Sequence, residues 1–294
     1  FNRLSMGIQD FDPKVQRAVN RVQGVDHTLG LVTQARSVGF ISVSVDLIYG
    51  LPHQTLDSFQ KTLDLIVEAR PDRIATYNYA HLPRMFKAQR LIREEDLPSP
   101  QTKLDLLKRI VEFLTDQGYE YIGMDHFALP GDELVKARNQ GTLQRNFQGY
   151  STYADCDLVA LGVSSIGRLD TCYSQNLKLR KDYYAALDEG RLPIYRGVEL
   201  DDEDVLRRAV IQSLMCQDVV DMKSIGERFG IDFESHFASE LGAMEGLEAD
   251  GLVELGEQTI RVTAKGRFLL RPIAMTFDAY LPAERQPGRF SKVI

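Results

Sequence analysis

Strands and helices alternate along the first 117 residues, and this order constrains the fold more than any other feature of the sequence. Strands are predicted over residues 3–9, 40–48 and 73–79, and helices over residues 26–38, 56–69 and 103–117. Parallel strands need a long crossover between them, and a helix is the usual crossover. The sequence therefore predicts an α/β fold built on a parallel sheet.

The predicted strands alternate between apolar residues and small or polar residues, although buried parallel strands are usually apolar on both faces. In the second strand the apolar set is Ile41, Val43, Val45 and Leu47, and the other set is Ser42, Ser44 and Asp46. If the apolar face packs against the helices, the polar face lines the interior of a barrel-like sheet. Gln9 and Asp46 then lie near the carboxyl ends of their strands, where such folds bind ligands.

Asp46 is the first candidate functional residue. It lies in SVDLIYGLPHQ (residues 44–54), where an apolar, β-branched run is interrupted by Gly50 and Pro52. Two structural roles compete with ligand binding, because the carboxylate could cap a neighbouring helix or pair with an arginine. The expectation that Gln9 lies at the same end of the sheet favours a binding role.

The part of the chain from residue 178 onward is predicted to be mainly helical, with a hairpin at residues 251–263. Three helices followed by a hairpin are typical of a winged helix, which raises a DNA-binding hypothesis. Residues 200–294 contain 17 Asp+Glu and 11 Lys+Arg, so their net charge is 11 − 17 = −6, and the helix predicted at residues 237–250 has no Lys or Arg. Because a protein that enters a phosphate-lined groove needs positive charge, the sequence favours a structural or lid role.

Composition argues against several classes of protein. The formal net charge of −7 is unsuited to a general basic surface for nucleic acid or anionic membranes. No apolar stretch approaches the about 20 residues of a membrane span, and the N-terminus has no targeting pattern, so a cytoplasmic protein is expected. Cys156, Cys172 and Cys216 are 16 and 44 positions apart, which fits neither a disulfide framework nor a CxxC metal site. We expect reduced, mostly buried thiols and no metal site built from this chain.

Three further motifs leave alternatives open. LGVSSIG (residues 161–167) lacks the Lys-Ser/Thr of a P-loop and the GxSxG spacing of a hydrolase, so it is a glycine turn that approaches a ligand or an ordinary tight turn. His126, which follows Asp125 in GMDHFALP, is a hydrogen-bonded loop histidine or a proton-transfer group. Arg145, in RNFQGYST, suits a salt bridge or a carboxylate site.

Seven segments carry a family resemblance. In chain order they are RLSMGIQDF, SVDLIYGLPHQ, TYNYAHLP, GMDHFALP, RNFQGYST, LGVSSIG and the terminal RFSKVI. Together they resemble the oxygen-independent coproporphyrinogen III oxidases of the radical S-adenosylmethionine superfamily. DLIYGLP is shared with relatives such as the haem chaperones, whereas GMDHFALP with RNFQGYST is typical of the oxidases. The resemblance favours an oxidase, and a haem-binding chaperone without oxidase activity is the alternative.

The resemblance implies a partial (β/α) radical-SAM barrel followed by a mostly helical C-terminal domain. Residues 1–98 would form the C-terminal part of the barrel, residues 99–177 a barrel extension and connecting segment, and residues 178–294 the winged-helix-like domain. Family members bind two S-adenosylmethionine molecules and hold a 4Fe–4S cluster through a CxxxCxxC loop.

The resemblance also implies a reaction and its partners. In the family, a radical made from S-adenosylmethionine abstracts a propionate hydrogen of coproporphyrinogen III, and loss of carbon dioxide leaves a vinyl group. Two such events give protoporphyrinogen IX. The partners to expect are this small-molecule substrate and a reductant protein for the cluster, with no nucleic acid and no membrane, and the protein is expected to be a monomer.

Five residues match family positions that contact S-adenosylmethionine, namely Gln9, Arg21, Asp46, Ala80 and Ile166. The side chains of Asp46 and Gln9 suit ribose hydroxyls and the ammonium group, and Arg21 suits the carboxylate. Ala80 and Ile166 can contribute only backbone bonds and apolar contact. The sequence assigns no catalytic residue and no metal ligand.

The chain departs from the family pattern upstream. It contains no CxxxCxxC and no glycine-rich segment of the kind that follows it in the family, and its strand-like start RLSM has no preceding cap or turn. We therefore expect a fragment whose upstream part is missing. We expect this fragment to be inactive by itself, and the resemblance implies that the intact protein is an enzyme.

Overall fold

A computed structural model describes residues 1–153 and 156–281, and the chain divides into two compact units. The first unit is Phe1–Lys136, and the second is Ala137–Leu281. This division has its boundary within the helix Glu133–Asn139, whereas the sequence predicts boundaries after residues 98 and 177. The terminal RFSKVI motif lies outside the described residues.

The first unit is an α/β structure. Its elements are β1 (Arg3–Gln9), α1 (Pro13–Ala18), α2 (Val25–Ser37), β2 (Ser42–Tyr49), α3 (Leu56–Ala69), β3 (Arg73–Asn78), two 3-10 helices (Lys87–Leu91 and Glu94–Asp96), α4 (Pro100–Asp116), β4 (Glu120–Gly123), β5 (His126–Ala128) and the first part of α5 (Glu133–Asn139). The sheet order is β1-β2-β3-β5-β4. Strands β1, β2 and β3 are parallel, as the sequence predicts, and β5 and β4 continue the sheet in antiparallel pairs.

The two faces of the parallel strands have the predicted roles. Val43 of β2 is fully buried against Val32 and Ala35 of α2, with Leu4 and Met6 of β1 packed around them. The opposite face carries the small and polar residues in register, because Ser5 pairs with Ser44 and Gly7 pairs with Asp46. Burial of the apolar face therefore fixes which side of the sheet Asp46 occupies.

Local sequence determines the ends of α3. Thr55 caps this helix and forms a capping box with Ser58, and Phe59, Leu63 and Ile66 are fully buried along one stripe. Such a stripe and cap are what the sequence predicts for this segment. Helix α1 was not predicted, because its six residues are too few for a periodic pattern, although Asp12 caps it and Pro13 opens it.

The second unit combines small antiparallel sheets with helices. Beyond the end of α5 it contains β6 (Gln144–Asn146), β7 (Gly149–Ser151), β8 (Ile166–Leu169), β9 (Cys172–Asn176), α6 (Arg180–Asp188), β10 (Ile194–Glu199), α7 (Asp202–Gln217), β11 (Val219–Asp221), α8 (Met222–Phe229), α9 (Phe233–His236), α10 (Ala238–Ala249), β12 (Val253–Leu255), β13 (Thr259–Val262), a 3-10 helix (Gly266–Leu269) and α11 (Leu270–Met275). The sheets are β6-β7, β10-β9-β8 and β11-β13-β12.

The end of the second unit has the element order of a winged helix. Helix α7, strand β11, helices α8 and α10, and the hairpin of β12 and β13 follow one another, and the hairpin lies where the sequence predicts it. Strand β10 was not predicted. Every residue of β10 is exposed, so the strand buries no apolar stripe and is held by antiparallel pairing with β9.

The cysteines differ from their expectation. Cys156 and Cys172 are exposed and only Cys216 is buried, so the prediction of mostly buried thiols is wrong for two of the three. Cys172 begins β9, where it pairs with Leu169 of the preceding strand β8 and with Glu199 of β10, and it is exposed in that position. Among the described residues, no helix is long and apolar enough to cross a membrane.

Candidate functional site

Gly7 is the point at which three candidate side chains meet. The register of β1 and β2 places Gly7 beside Asp46. A Cβ atom on residue 7 would lie 2.5 Å from Gln9 Nε2 and 3.1 Å from Arg21 Nη2, so both side chains lie over the glycine. Arg21 Nη2 also donates a hydrogen bond of 2.7 Å to the Gly7 carbonyl. The structure therefore brings Gln9, Arg21 and Asp46 together at the carboxyl end of the first two strands.

Gln9 occupies this place because the backbone turns sharply at the end of β1. The pairing register shifts between Gly7 and Gln9, and Gln9 has a φ of 70°. The Asp10 N–H donates a hydrogen bond of 3.0 Å to the Ile8 carbonyl across this residue. A left-handed backbone at a residue other than glycine costs about 1–3 kcal/mol and is concentrated at functional sites. Simple strand alternation does not describe Gln9, but its side chain still reaches the face that Gly7 occupies.

Asp46 has neither of the structural roles that competed with ligand binding. In the described parts of the chain it forms no ion pair and caps no helix. Its Oδ2 atom receives a long hydrogen bond of 3.4 Å from Ser5 Oγ. Burial raises the pKa of Asp46, and the Ser5 hydroxyl partly opposes this rise. The carboxylate thus keeps acceptor capacity for a ligand.

Asp46 belongs to a row of residues that crosses four strands. Gly7 pairs with Asp46, Asp46 pairs with Ala75, and Ala75 pairs with His126, so all four face the same side of the sheet. The small residues Gly7 and Ala75 alternate along this row with Asp46 and His126, whose side chains carry functional groups. The ring of His126 also meets the ring of Tyr77 edge-on at 6.0 Å between centroids. His126 is therefore a strand residue on the site's face and not a loop residue.

A buried network supports the loops that follow β1 and β2, and the sequence did not single it out. Asp10, Gln54 and Thr62 are 1%, 3% and 1% exposed. Asp10 Oδ1 accepts hydrogen bonds from Asp12 N (2.7 Å) and Thr62 Oγ1 (2.8 Å), and its Oδ2 accepts one from Gln54 Nε2 (2.5 Å). Burial raises the pKa of Asp10, and these three donors oppose the rise.

Gln54 also closes its own loop. Its Oε1 accepts hydrogen bonds from Gly50 N at 2.6 Å and Leu51 N at 3.3 Å, and its Nε2 donates to the Ile48 carbonyl at 3.0 Å. The GLPHQ turn after β2 is thereby fixed to the GIQDF turn after β1. Polar residues in the turns that follow two adjacent strands were the available sequence signal, but their burial was not predictable from it.

The last two candidates have separate surroundings. Ala80 lies two residues beyond β3, and its carbonyl accepts a hydrogen bond of 2.9 Å from Gln89 Nε2. The neighbouring Tyr79 N–H donates to the Tyr49 carbonyl at 2.8 Å, which holds this loop at the carboxyl end of β2. Ile166 belongs to the second unit, where it begins β8.

Two motifs of the second unit are clarified by their contacts. In LGVSSIG, Ser165 Oγ donates to the Leu161 carbonyl at 2.7 Å and Gly162 has a φ of 94°, so residues 161–165 form a tight turn that leads into β8, and its approach to a ligand stays a prediction. Arg145 exchanges two hydrogen bonds with the Gln212 side chain, and its guanidinium lies 4.9 Å from the Tyr150 ring centroid. Arg145 forms no ion pair with any described carboxylate, so the salt-bridge alternative is not realised there.

Comparison with known proteins identifies the family. Residues 1–66 match the radical SAM superfamily, and residues 200–269 match the HemN C-terminal domain. The oxygen-independent coproporphyrinogen III oxidase of Thermostichus vulcanus is 47% identical over 296 residues, which cover 100% of this chain and 90% of that relative. The chain belongs to the oxygen-independent coproporphyrinogen III oxidase family.

Other oxygen-independent coproporphyrinogen III oxidases are similar over the whole of this chain. Those of Escherichia coli (strain K12) and Pseudomonas aeruginosa are 50% and 51% identical over 294 residues, and the chain spans 64% of the length of each. The solved structure of coproporphyrinogen III oxidase (HemN) from Escherichia coli, a radical SAM enzyme, matches with a TM-score of 0.92 at 50% identity, covering 96% of this chain and 65% of that chain. These relatives confirm the oxidase resemblance and give no support to the chaperone alternative.

Radical SAM proteins use S-adenosylmethionine and a 4Fe–4S cluster, and the described residues fit these two groups differently. Gln9, Arg21 and Asp46 offer an amide, a guanidinium and a carboxylate around one glycine, which suits a polar ligand with hydroxyl, ammonium and carboxylate groups. By contrast, no three His, Cys, Asp or Glu side chains are grouped to hold a metal ion in residues 1–153 and 156–281. The cluster ligands are therefore not among the described residues.

Proposed function

We propose that the protein containing this chain converts two propionate side chains of coproporphyrinogen III into vinyl groups and so yields protoporphyrinogen IX in haem biosynthesis. The single observation that carries the proposal is 47% identity across 90% of an oxygen-independent coproporphyrinogen III oxidase. This identity spans both units, which is more than a shared radical SAM barrel would supply.

The reaction is an oxidation. Each propionate, R–CH2–CH2–COO⁻, becomes R–CH=CH2 with loss of carbon dioxide, one proton and two electrons. Abstraction of a hydrogen atom accounts for the proton and one of the two electrons, and the second electron passes to an electron acceptor. S-adenosylmethionine, when bound, supplies the hydrogen-atom abstraction that begins this chemistry. We propose that a reductant protein delivers electrons for it, that two S-adenosylmethionine molecules bind, and that the protein acts as a cytoplasmic monomer without nucleic-acid or membrane partners.

Five residues are proposed to hold S-adenosylmethionine: Gln9, Arg21, Asp46, Ala80 and Ile166. An ionised Asp46 would accept hydrogen bonds from ribose hydroxyls, and Arg21 would pair with the carboxylate of the methionyl group. Gln9 can both donate and accept, so it suits the amino-acid end of the ligand. Ala80 and Ile166 would contribute backbone hydrogen bonds and apolar contact.

The row that crosses the sheet supports a binding surface of this kind. Ala75 separates Asp46 from His126 in this row and carries only a methyl group, whereas Gln9 and Arg21 lie over Gly7 at the other end of the row. A ligand on this face would meet the Asp46 carboxylate and the His126 ring on either side of Ala75. It would also meet the Gln9 amide and the Arg21 guanidinium over Gly7.

The test is turnover by the protein expressed from the complete reading frame that contains this chain. Under oxygen-free conditions, coproporphyrinogen III, S-adenosylmethionine and a chemical reductant should give a tetrapyrrole with two vinyl groups, together with two equivalents of carbon dioxide. Asp46→Asn should lose most of this activity while remaining folded. Stoichiometric haem binding without any decarboxylation would instead support the chaperone and contradict the proposal.

A further inference from the structure

A cavity of about 450 Å³ lies within the second unit, and the proposed function uses none of the residues that line it. Its walls come from the segment before β6, from β8 and its following turn, from α7 and from α8. All of these elements belong to one unit, so the cavity is a property of that unit alone.

One face of α7 lines this cavity, and that face has an unusual composition. The lining residues recur every third or fourth position between residues 205 and 217, which is the spacing of a single helical face. They include Arg208, Gln212, Ser213 and Gln217. An inward helical face is normally apolar. The apolar stripe of α7 is a different one, formed by Leu206, Val210 and Leu214, which are all buried.

Three arginines line the cavity, and none of them has an anionic partner in the part of the chain that the structure describes. Arg168 comes from β8, Arg208 from α7 and Arg228 from α8. No described carboxylate forms an ion pair with any of the three. In the same unit, Arg138 and Arg207 are each ion-paired, Arg138 with Asp218 and Arg207 with two glutamates. Among the described residues, the three cavity arginines thus lack the carboxylate partners that Arg138 and Arg207 have.

The local charge also differs from that of the surroundings. Residues 137–281 contain 16 Lys+Arg and 23 Asp+Glu, a net charge of 16 − 23 = −7. The cavity lining has three arginines against Asp157 and Asp170, a net of 3 − 2 = +1. One oxygen of the Asp157 carboxylate is already engaged, because its Oδ1 accepts a hydrogen bond of 2.8 Å from the Asp170 N–H. An anion entering the cavity would meet attraction in a unit that otherwise repels it.

The donors present favour a carboxylate as the ligand. Guanidinium groups match carboxylates in a planar two-point geometry. Arg168 Nη2 is held by the Cys156 carbonyl at 2.9 Å, which leaves its other N–H groups available. Gln217 Nε2 is buried with no hydrogen-bond partner in the described structure. Burial raises the pKa of the Cys216 thiol to about 12, so this thiol adds no negative charge to the cavity.

We propose that this cavity binds a carboxylate, and that the carboxylate is a propionate of the tetrapyrrole substrate. The assignment of this carboxylate to the substrate rests on the proposed function. Coproporphyrinogen III presents four propionates, and only two of them are converted. The unconverted propionates remain as anions throughout the reaction and are suitable anchors. Arg208 is the group that we test first, because it lies on the face of α7 that lines the cavity.

The first experiment measures binding of coproporphyrin III, the stable fluorescent oxidised form, to the protein from the complete reading frame. Arg208→Gln and Arg168→Gln should each raise the Kd about tenfold or more, the loss expected for one charged hydrogen-bonding group. Arg196→Gln is the matched control, because Arg196 is exposed in the same unit, bonds Gln175 and does not line the cavity. The tetramethyl ester of coproporphyrin III should bind no more tightly to wild type than to Arg208→Gln.

A second arm tests a free small carboxylate with glutarate as the probe. If glutarate raises the Tm of wild type but not of Arg208→Gln, and porphyrin binding is equal in both, the carboxylate site stands and its source is a free anion. If neither ligand distinguishes Arg208→Gln from Arg196→Gln, the proposal is overturned. Normal turnover with an unchanged KM in Arg208→Gln would overturn the propionate anchor alone, whereas Arg208-dependent porphyrin binding without turnover would overturn only the proposed oxidase function.

Discussion

Gln54 Nε2 donates a hydrogen bond of 2.5 Å to the buried carboxylate of Asp10, and this bond joins the loop after β2 to the loop after β1. Gln9 and Asp46, two of the proposed ligand-binding residues, lie in or beside the segments that the bond connects. Because both partners are almost completely buried, neither can replace the other with water. The pair thus fixes the relative position of two strand ends without contacting the proposed ligand.

Replacing Gln54 by leucine should destabilise the protein strongly. The substitution keeps the volume of the side chain but leaves Gly50 N and the Oδ2 atom of Asp10 without these partners in the interior. Buried unsatisfied groups cost about 1–3 kcal/mol each, so we expect a loss of about 3 kcal/mol in the free energy of unfolding. Urea unfolding measures it. Gln34→Leu on the exposed side of α2 is the control and should change little. Equal effects of the two substitutions would contradict a supporting role for Gln54.

Asp10 should make the stability depend on pH with a definite sign. Burial raises its pKa in the folded state above the ordinary 3.8, so the folded protein binds the proton more tightly than the unfolded chain does. Stability from this group is therefore greatest below pH 3.8 and falls as the pH rises through the raised pKa.

The Asp10→Asn variant isolates this contribution. Asparagine does not titrate, and its NH2 group would face a donor, so the variant should be less stable than wild type at every pH. The difference between the two should become smaller as the pH rises from about 4 to about 7, because only wild type loses the contribution of Asp10. Urea unfolding at several pH values measures the difference, and a gap that widens with pH would refute the assignment.

Gly7→Ala should weaken S-adenosylmethionine binding with little effect on folding. The new methyl group would lie 2.5 Å from Gln9 Nε2 and 3.1 Å from Arg21 Nη2, so both mobile side-chain ends must move. We expect the Kd for S-adenosylmethionine to rise about tenfold, which is a loss of about 1.4 kcal/mol. Calorimetric titration measures it. Gly30→Ala in α2 has open space around the new methyl and should leave the affinity unchanged.

Asp46 should impose an acid limit on S-adenosylmethionine binding. Burial raises its pKa, so its protonation on acidification occurs above pH 3.8 and removes a charged acceptor. The affinity should therefore fall as the pH decreases through the raised pKa. Asp46→Asn should bind weakly with a flat pH profile, and the exposed Asp64→Asn should keep the wild-type profile. A wild-type profile in Asp46→Asn would exclude Asp46 from the site.

Local sequence was enough to predict the elements that carry the site. The alternation in β1 and β2 and the capped apolar stripe of α3 are encoded within single segments, so the parallel sheet and the polar face of Asp46 follow from them. The meeting of Gln9 with Asp46 was predicted as a shared strand end. In the structure Gln9 and Asp46 both flank Gly7. This geometry depends on a register shift between β1 and β2 that no local sequence pattern predicts.

Features that depend on distant contacts could not be predicted. Asp10 lies 44 residues from Gln54 and 52 residues from Thr62 in sequence, and its burial exists only when all three segments are packed. The cavity arginines come from β8, α7 and α8, and nothing in any one of these segments indicates that they share a space. Burial of polar groups is a property of tertiary packing, and a single sequence carries little direct information about it.

The positive φ of Gln9 limits which residues a mutagenesis library can place there, whatever the ligand requires. β-Branched side chains are the least compatible with a left-handed backbone, whereas glycine, asparagine and aspartate tolerate it. Selection for altered cofactor use at residue 9 would therefore first recover variants that fit the turn. Other substitutions of Gln9 should be compared with Gln9→Gly as the reference, because glycine removes the side chain and leaves the turn unstrained.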